Sequence, residues 1–176
     1  MRNMTGYLFV PMLLLNLMAC GKSEVSEGRK VEASGKEASD PGAVPAEVLI
    51  VAHAALPELS VREAEYETRD GNEYYDVGGT LPDGSEWELD MTRIDGTWTV
   101  VEKQRDIAME LVPGGVSNVL ETKLPEWHPD RVIESDQGDG VIIYEFFGKT
   151  EEGEATKIEI MWQQGRAELL VNEWLH

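Results

Sequence analysis

The feature that most constrains this chain is a line written twice. VPAEVLIVAHAALPEL occupies residues 44–59, and VPGGVSNVLETKLPEW occupies 112–127. Both begin Val-Pro, both place Val four and seven positions after the first Val, and both carry Leu-Pro-Glu near the close. From Pro45/Pro113 to Glu58/Glu126 the two runs stand 68 residues apart, and after a one-residue insertion near Trp127 the offset is 69. The register then holds through Arg62/Arg131, Glu65/Glu134, Gly71/Gly140, Tyr75/Tyr144, Gly79/Gly148, Gly84/Gly153 and Gly96/Gly165. Identities that keep register through successive turns point to an internal duplication.

Each copy reads the same way. Pro45 and Pro113 suit the first turn of a helix, because a missing N–H costs nothing there. Val48, Val51, Ala52 and Ala55 recur at helical spacing, as do Val116, Val119, Leu120 and Leu124. Pro57 and Pro125 end each helix, since the residue before proline avoids the α region. Strands follow. Arg62–Thr68 turns at Asp70-Gly71 into Tyr74–Thr80, and Pro82-Asp83-Gly84 leads into 86–92. There Trp87, Leu89 and Met91 alternate with Glu86, Glu88 and Asp90, so the first three are expected inside and the acids on a solvated outer face. In the second copy Gly138-Asp139-Gly140 turns into Val141–Lys149, and Thr156, Ile158 and Ile160 point inward. Asp95-Gly96 and Gln164-Gly165 open the last strands, which carry Trp98 and Val100, or Ala167 and Leu169. The expectation is an α+β fold of two tandem repeats. Each would be one helix packed on a four-stranded antiparallel sheet, the two possibly merging into one larger sheet. The repeats would occupy 44–111 and 112–176.

The first twenty residues have a different logic. Arg2 precedes an apolar run from Tyr7 to Met18 that is too short to span a bilayer and has the layout of an export signal. The run ends Leu17-Met18-Ala19-Cys20, and Cys20 is the sole cysteine, so no intramolecular disulfide can form. Leu-Met-Ala-Cys resembles the lipobox of bacterial lipoproteins. That resemblance implies removal of 1–19 and acylation of Cys20, with several chains holding the protein firmly where one would be marginal. Residues 21–43, rich in Ser, Gly, Glu, Lys and Ala, lack the apolar side chains to offset their ordering entropy. They read as a tether reaching about 25–30 Å. Gly21 rather than Asp follows the cysteine, which by the lipoprotein sorting rule implies the outer membrane.

The chain carries 34 acidic and 15 basic residues, a net charge of −19. Such a polyanion repels phosphate backbones, so no nucleic acid is expected as partner. His53, His128 and His176 show no metal-ligand spacing, and neither a nucleophile elbow nor a phosphate loop is present. Ser60, Ser85, Ser117 and Ser135 read as turn or capping residues, and ESDQGDG at 134–140 as a hairpin rather than a calcium loop. The expectation is a protein that is not an enzyme, with no cofactor and no metal.

The proline-bounded helix V-P-x-x-V-x-x-V with its Leu-Pro-Glu close, followed by Tyr-x-Val or Tyr-x-Phe and glycine-bounded strands, resembles the PepSY-like group. Its members relate in fold to a bacterial β-lactamase inhibitor protein. The resemblance covers 44–176 and implies a secreted or lipid-anchored, non-catalytic module that binds or inhibits a protein. No inhibitory residue carries over. The alternative is a structural or assembly lipoprotein of the outer membrane, of the SmpA/OmlA type. The expected partner is an unidentified envelope or periplasmic protein, with a membrane contact through Cys20. Alternation assigns Tyr74, Asp76, Gly78 and Val101 of the first copy to the face the helix leaves free. The matching face of the second copy carries Ile143, Phe147, Met161 and Leu170, an apolar group that is the expected partner surface.

Overall fold

The computed structural model describes residues 37–39, 41–172 and 174; Cys20, the signal-like segment and most of the expected tether lie outside them. In chain order the elements are β1 (Glu37–Ser39), α1 (Ala46–Ala55), β2 (Ser60–Arg69), β3 (Asn72–Thr80), β4 (Glu86–Ile94) and β5 (Thr97–Ile107). There follow α2 (Gly114–Lys123), β6 (Arg131–Asp136), β7 (Val141–Lys149), β8 (Ala155–Gln163) and β9 (Arg166–Leu169). A 3-10 turn precedes each α-helix, at Pro41–Ala43 and Met109–Leu111.

Local chemistry accounts for the boundaries. The carbonyls of Pro45 and Pro113 accept the first helical hydrogen bonds, from Val48 and Leu49 and from Val116 and Ser117. Each helix ends in an extended leucine, Leu56 or Leu124, just ahead of the closing proline. Three hairpins turn through left-handed pairs, Asp70-Gly71, Asp95-Gly96 and Gln164-Gly165, with φ near +50° and then near +80°. That is the turn whose twist matches its flanking strands, and glycine takes its second position without a Cβ penalty.

The strands form one antiparallel sheet in sequential order from β1 to β9. This overturns the expectation of two repeats, each a helix on its own four-stranded sheet. The join is β5, whose eleven residues run from Thr97 to Ile107. Its Lys103–Ile107 segment pairs with Val132–Asp136 of β6, and Lys103–Arg105 pair with β4 on the other side as well. Two separate sheets would each expose a row of unpaired N–H and C=O groups here, and continuous pairing satisfies both rows.

Register places both helices on one face. Leu89 lies opposite Lys103, Ile107 opposite Val132, Val132 opposite Phe146, and Phe146 opposite Ile158. The α1 core (Val48, Ala52, Tyr75, Val77, Leu89, Met91, Trp98) and the α2 core (Val116, Leu120, Val132, Tyr144, Phe146, Ile160) therefore share a side of the sheet. Trp87 and Ile158 pack at the margins of these clusters, half-buried. Between the cores runs a polar seam. The Arg105 guanidinium lies 5.1 Å over the Trp87 ring and bonds Glu134 at 2.6 Å, and the Tyr144 hydroxyl donates to the other Glu134 oxygen at 3.1 Å. Burial beside the Glu134 carboxylate raises the phenol of Tyr144 above its ordinary range. At the other end of the first core, Glu47 of α1 accepts from Arg93 at 2.8 Å and from the Trp98 indole at 3.1 Å, which pins the helix to β4 and β5.

Candidate functional site: the face without helices

The opposite face is built from alternate residues of every long strand. On β3 and β4 it presents Tyr74, Asp76, Gly78 and Thr80 beside Glu86, Glu88, Asp90 and Thr92. A register shift between Asp90 and Met91 places Glu102 of β5 opposite Asp90, with Gln104 opposite Glu88. Glu102 is buried, and Ser135 of β6, also buried, donates a short hydrogen bond to its Oε1. Gln104 donates to Asp90 Oδ2 at 3.2 Å. Burial, and then the charges of Asp76, Glu102 and Glu88, push the Asp90 carboxyl up to about 9, so at neutral pH it keeps its proton. Asp90 is thus no member of a solvated outer face, although Glu86 and Glu88 are exposed. Ser135, expected at a turn, sits within a strand as a donor to a buried carboxylate.

Toward β8 the face changes character. Lys157 reaches Glu145 at 3.1 Å and Glu159 at 2.7 Å. Burial raises Glu145 while the Lys157 ammonium opposes the shift. Trp174 bridges the region: its backbone N–H donates to Glu159 Oε2 at 2.7 Å and its indole to Gln137 Oε1 at 3.0 Å. Gln137 in turn donates to Ser135 at 2.7 Å. A residue tied both to β8 and to the end of β6 must cross β7 between them. There lies Ile143, paired with Ser135 and with Met161 and only 1% exposed.

No family model matches the chain, and no curated protein matches it significantly. Among solved structures, a DUF2874 family protein from Bacteroides ovatus is similar in fold, with a TM-score of 0.51 at 16% identity over 77% of this chain and 92% of that one. A DUF2874 family protein from Bacteroides vulgatus, provisionally described as periplasmic, covers 78% of this chain and 96% of its own at 19% identity, with a TM-score of 0.30. At this identity the likeness to the first is one of fold alone.

The expected partner group is only partly brought together. Ile143 and Met161 are cross-strand neighbours, and Leu170, whose N–H bonds the Glu159 carbonyl at 2.9 Å, lies close by. Phe147 stands four residues along β7, about 13 Å away at the strand rise. It lies beneath the Arg131 guanidinium at 5.5 Å. Ile143 is closed to a partner, and Phe147, Met161 and Leu170 are half-buried. What the face does offer is a cleft of about 190 Å³ near the ends of β2 to β6. Glu63, Glu86, Glu88 and Asp106 line it together with Arg62, Arg105 and Arg131. Gly78 leaves room for the Glu63 side chain, since a Cβ there would stand 2.7 Å from it. Arg131 is held to Asp106 by two bonds of 2.6 and 3.0 Å. Among the described residues no group of His, Cys, Asp and Glu is arranged to hold a metal ion.

Proposed function

We propose that this chain is a non-catalytic, lipid-anchored protein of the bacterial envelope that binds another protein through the face of its sheet opposite the helices. The observation that carries the reading is the one-sided layering. Both described helices cover one face, and the other presents exposed Glu63, Glu86, Glu88 and Asp106 around a cleft. Nine strands make a surface about 38 Å across, wide enough for a protein interface of ordinary size. The signal-like segment and the Leu-Met-Ala-Cys motif support anchoring through Cys20. Gly21 favours the outer membrane, with the sheet facing the periplasm at the end of its tether. The proline-bounded helices support kinship with the PepSY-like group.

Two measurements test this. Labelled fatty acid should be incorporated into the full chain and not into Cys20→Ser, and the variant should leave the membrane fraction. A photo-crosslinking residue at Glu86 or Glu88 should trap one specific protein in native envelope, whereas the same probe at Asn118 on α2 should not. Unlabelled wild type overturns the anchor, and equal trapping from both faces overturns the binding face.

A further inference from the structure

The duplicated register breaks at one place, and the break builds a second cleft. Gly79 and Gly148 are matched positions, and each is pressed by the chain that leaves its helix. A Cβ on Gly79 would stand 3.0 Å from the Leu59 side chain, and one on Gly148 would stand 2.7 Å from the Trp127 ring. Leu59 is only 4% exposed, and β2 begins at the next residue. Trp127 is half-buried, and β6 begins only at Arg131, after His128 and Pro129. The longer exit leaves a cleft of about 420 Å³ between the end of α2 and the turn after β7, a size that suits a small molecule. Leu124, Pro125 and Trp127 give it an apolar wall. The Trp127 indole N–H already donates to the Lys149 carbonyl at 2.9 Å, so the ring is fixed and offers a ligand its flat surface rather than a hydrogen bond.

Both signs of charge stand at this wall. Lys123 and Lys149 line it with Glu126 and Glu151, all four exposed, and His128 adds an imidazole. Among the described residues none of the four is joined in an ion pair, whereas Arg93, Lys103, Arg105, Arg131 and Lys157 are each held by a carboxylate. We propose that the cleft takes a small zwitterion built on a flat ring. The ring lies on Trp127, the carboxylate against Lys123 and Lys149, and the ammonium against Glu126 and Glu151. An apolar wall with a few polar groups set around it orients a ligand in this way. A singly charged ligand would meet like charge at one pair and leave it to water. An aromatic α-amino acid and an amino sugar acid both carry the required chemistry. The cleft lies on the helix side, where Trp127 packs against the second core, so this reading is independent of the one for the helix-free face.

The test uses the full chain in calorimetry, with L-phenylalanine and muramic acid as probes of the two sources. Phenethylamine and 3-phenylpropionate keep the ring of phenylalanine and each lack one charge, and glucosamine lacks the carboxylate of muramic acid. At least one zwitterion should bind, and its singly charged analogues should bind about tenfold more weakly. Lys149→Gln and Glu126→Gln should each weaken that binding about fivefold, and Arg166→Gln, on β9, less than about twofold. Trp127→Leu, which writes the residue of the first copy into the second, should abolish binding while a cooperative urea transition remains; if it fails to fold, the charge variants decide. Absence of binding for both zwitterions would overturn the proposal. So would equal binding of a singly charged analogue, or a loss in Arg166→Gln as large as in Lys149→Gln. Binding of phenylalanine alone assigns the amino acid, and binding of muramic acid alone the sugar. The crosslinking at Glu86 and Glu88 reads the other face and stands or falls separately.

Discussion

The N-terminal and C-terminal halves of the sheet share pleat, helix cover and hairpin chemistry, yet they treat charge on the free face in opposite ways. In the C-terminal half Lys157 stands between Glu145 and Glu159, and Trp174 closes over the strand between its two anchors. In the N-terminal half Asp76, Asp90 and Glu102 come together across three strands, and the Asp90 carboxyl on β4 is held neutral by a proton. One half sets an ammonium against its buried acids and the other holds a proton. The helices differ in the opposite sense. α1 is apolar almost all round, with Ile50 70% exposed, whereas α2 turns Asn118, Glu121 and Lys123 outward. A helix apolar on every side usually has cover on every side; α1 departs from that at its outward turn.

The comparison breaks most visibly at the cores. Leu89→Ala in the first and Ile160→Ala in the second each remove a fully buried side chain, and each should cost about 2–5 kcal/mol. Because β5 and β6 join the halves through a paired edge, both variants should lower a single unfolding transition. Two resolved transitions in denaturant would show the halves to be independent.

Next in size is the charge contrast. Lys157→Met strips the cation from Glu145 and Glu159 and should cost about 1–3 kcal/mol at pH 8, discounted for the partial exposure of the ammonium. The loss should shrink as acid protonates Glu145, whose pKa is raised by burial. Asp90→Asn should do the reverse. The folded carboxyl titrates near 9 against an ordinary 3.8, so the native state binds more protons than the unfolded state between those values. The stabilising contribution of that proton is complete below about pH 3.8 and is lost as pH rises toward 9. The amide mimics the protonated acid. The variant should match wild type near pH 4 and exceed it by on the order of 1–3 kcal/mol at pH 8, as read from urea unfolding across pH. A variant less stable than wild type at pH 8 would mean that the ionised form is the native one. The smallest effect is expected on α1, where Ile50→Ser should stay within about 0.5 kcal/mol in a monomer. A larger loss, growing with protein concentration, would show that the outward turn of α1 is covered by another copy.

Much of this was legible residue by residue. The paired prolines bound both helices, Asp-Gly and Gln-Gly turned their hairpins, and the alternation EWELDMT sorted Leu89 and Met91 inward. Less of the site was. Alternation put Asp76, Glu88 and Asp90 on the helix-free face, but treated Asp90 as solvated because nothing local announces burial. Ser135 was read as a turn residue because serine in a run with Gly and Asp has that local habit, although the RVIESD alternation places it beside Ile133 on the free face. The apolar group Ile143, Phe147, Met161 and Leu170 was read as one exposed patch. Register keeps Ile143, Met161 and Leu170 near one another and sets Phe147 apart, and Trp174, bonded to Glu159 and Gln137, crosses over Ile143.

The sequence by itself determined the elements, their boundaries and the direction of their side chains, because proline, glycine and the two-residue pleat act within a few bonds of themselves. Only the tertiary structure decided that β5 would run on to pair with β6, making one sheet where the repeat suggested two. It also decided that the shift between Asp90 and Met91 would bring Glu102 against Asp90, and that Trp174 would tie Glu159 to Gln137. Each of these joins groups far apart along the chain, and its energy comes from satisfying buried backbone edges and carboxyls that no local pattern records.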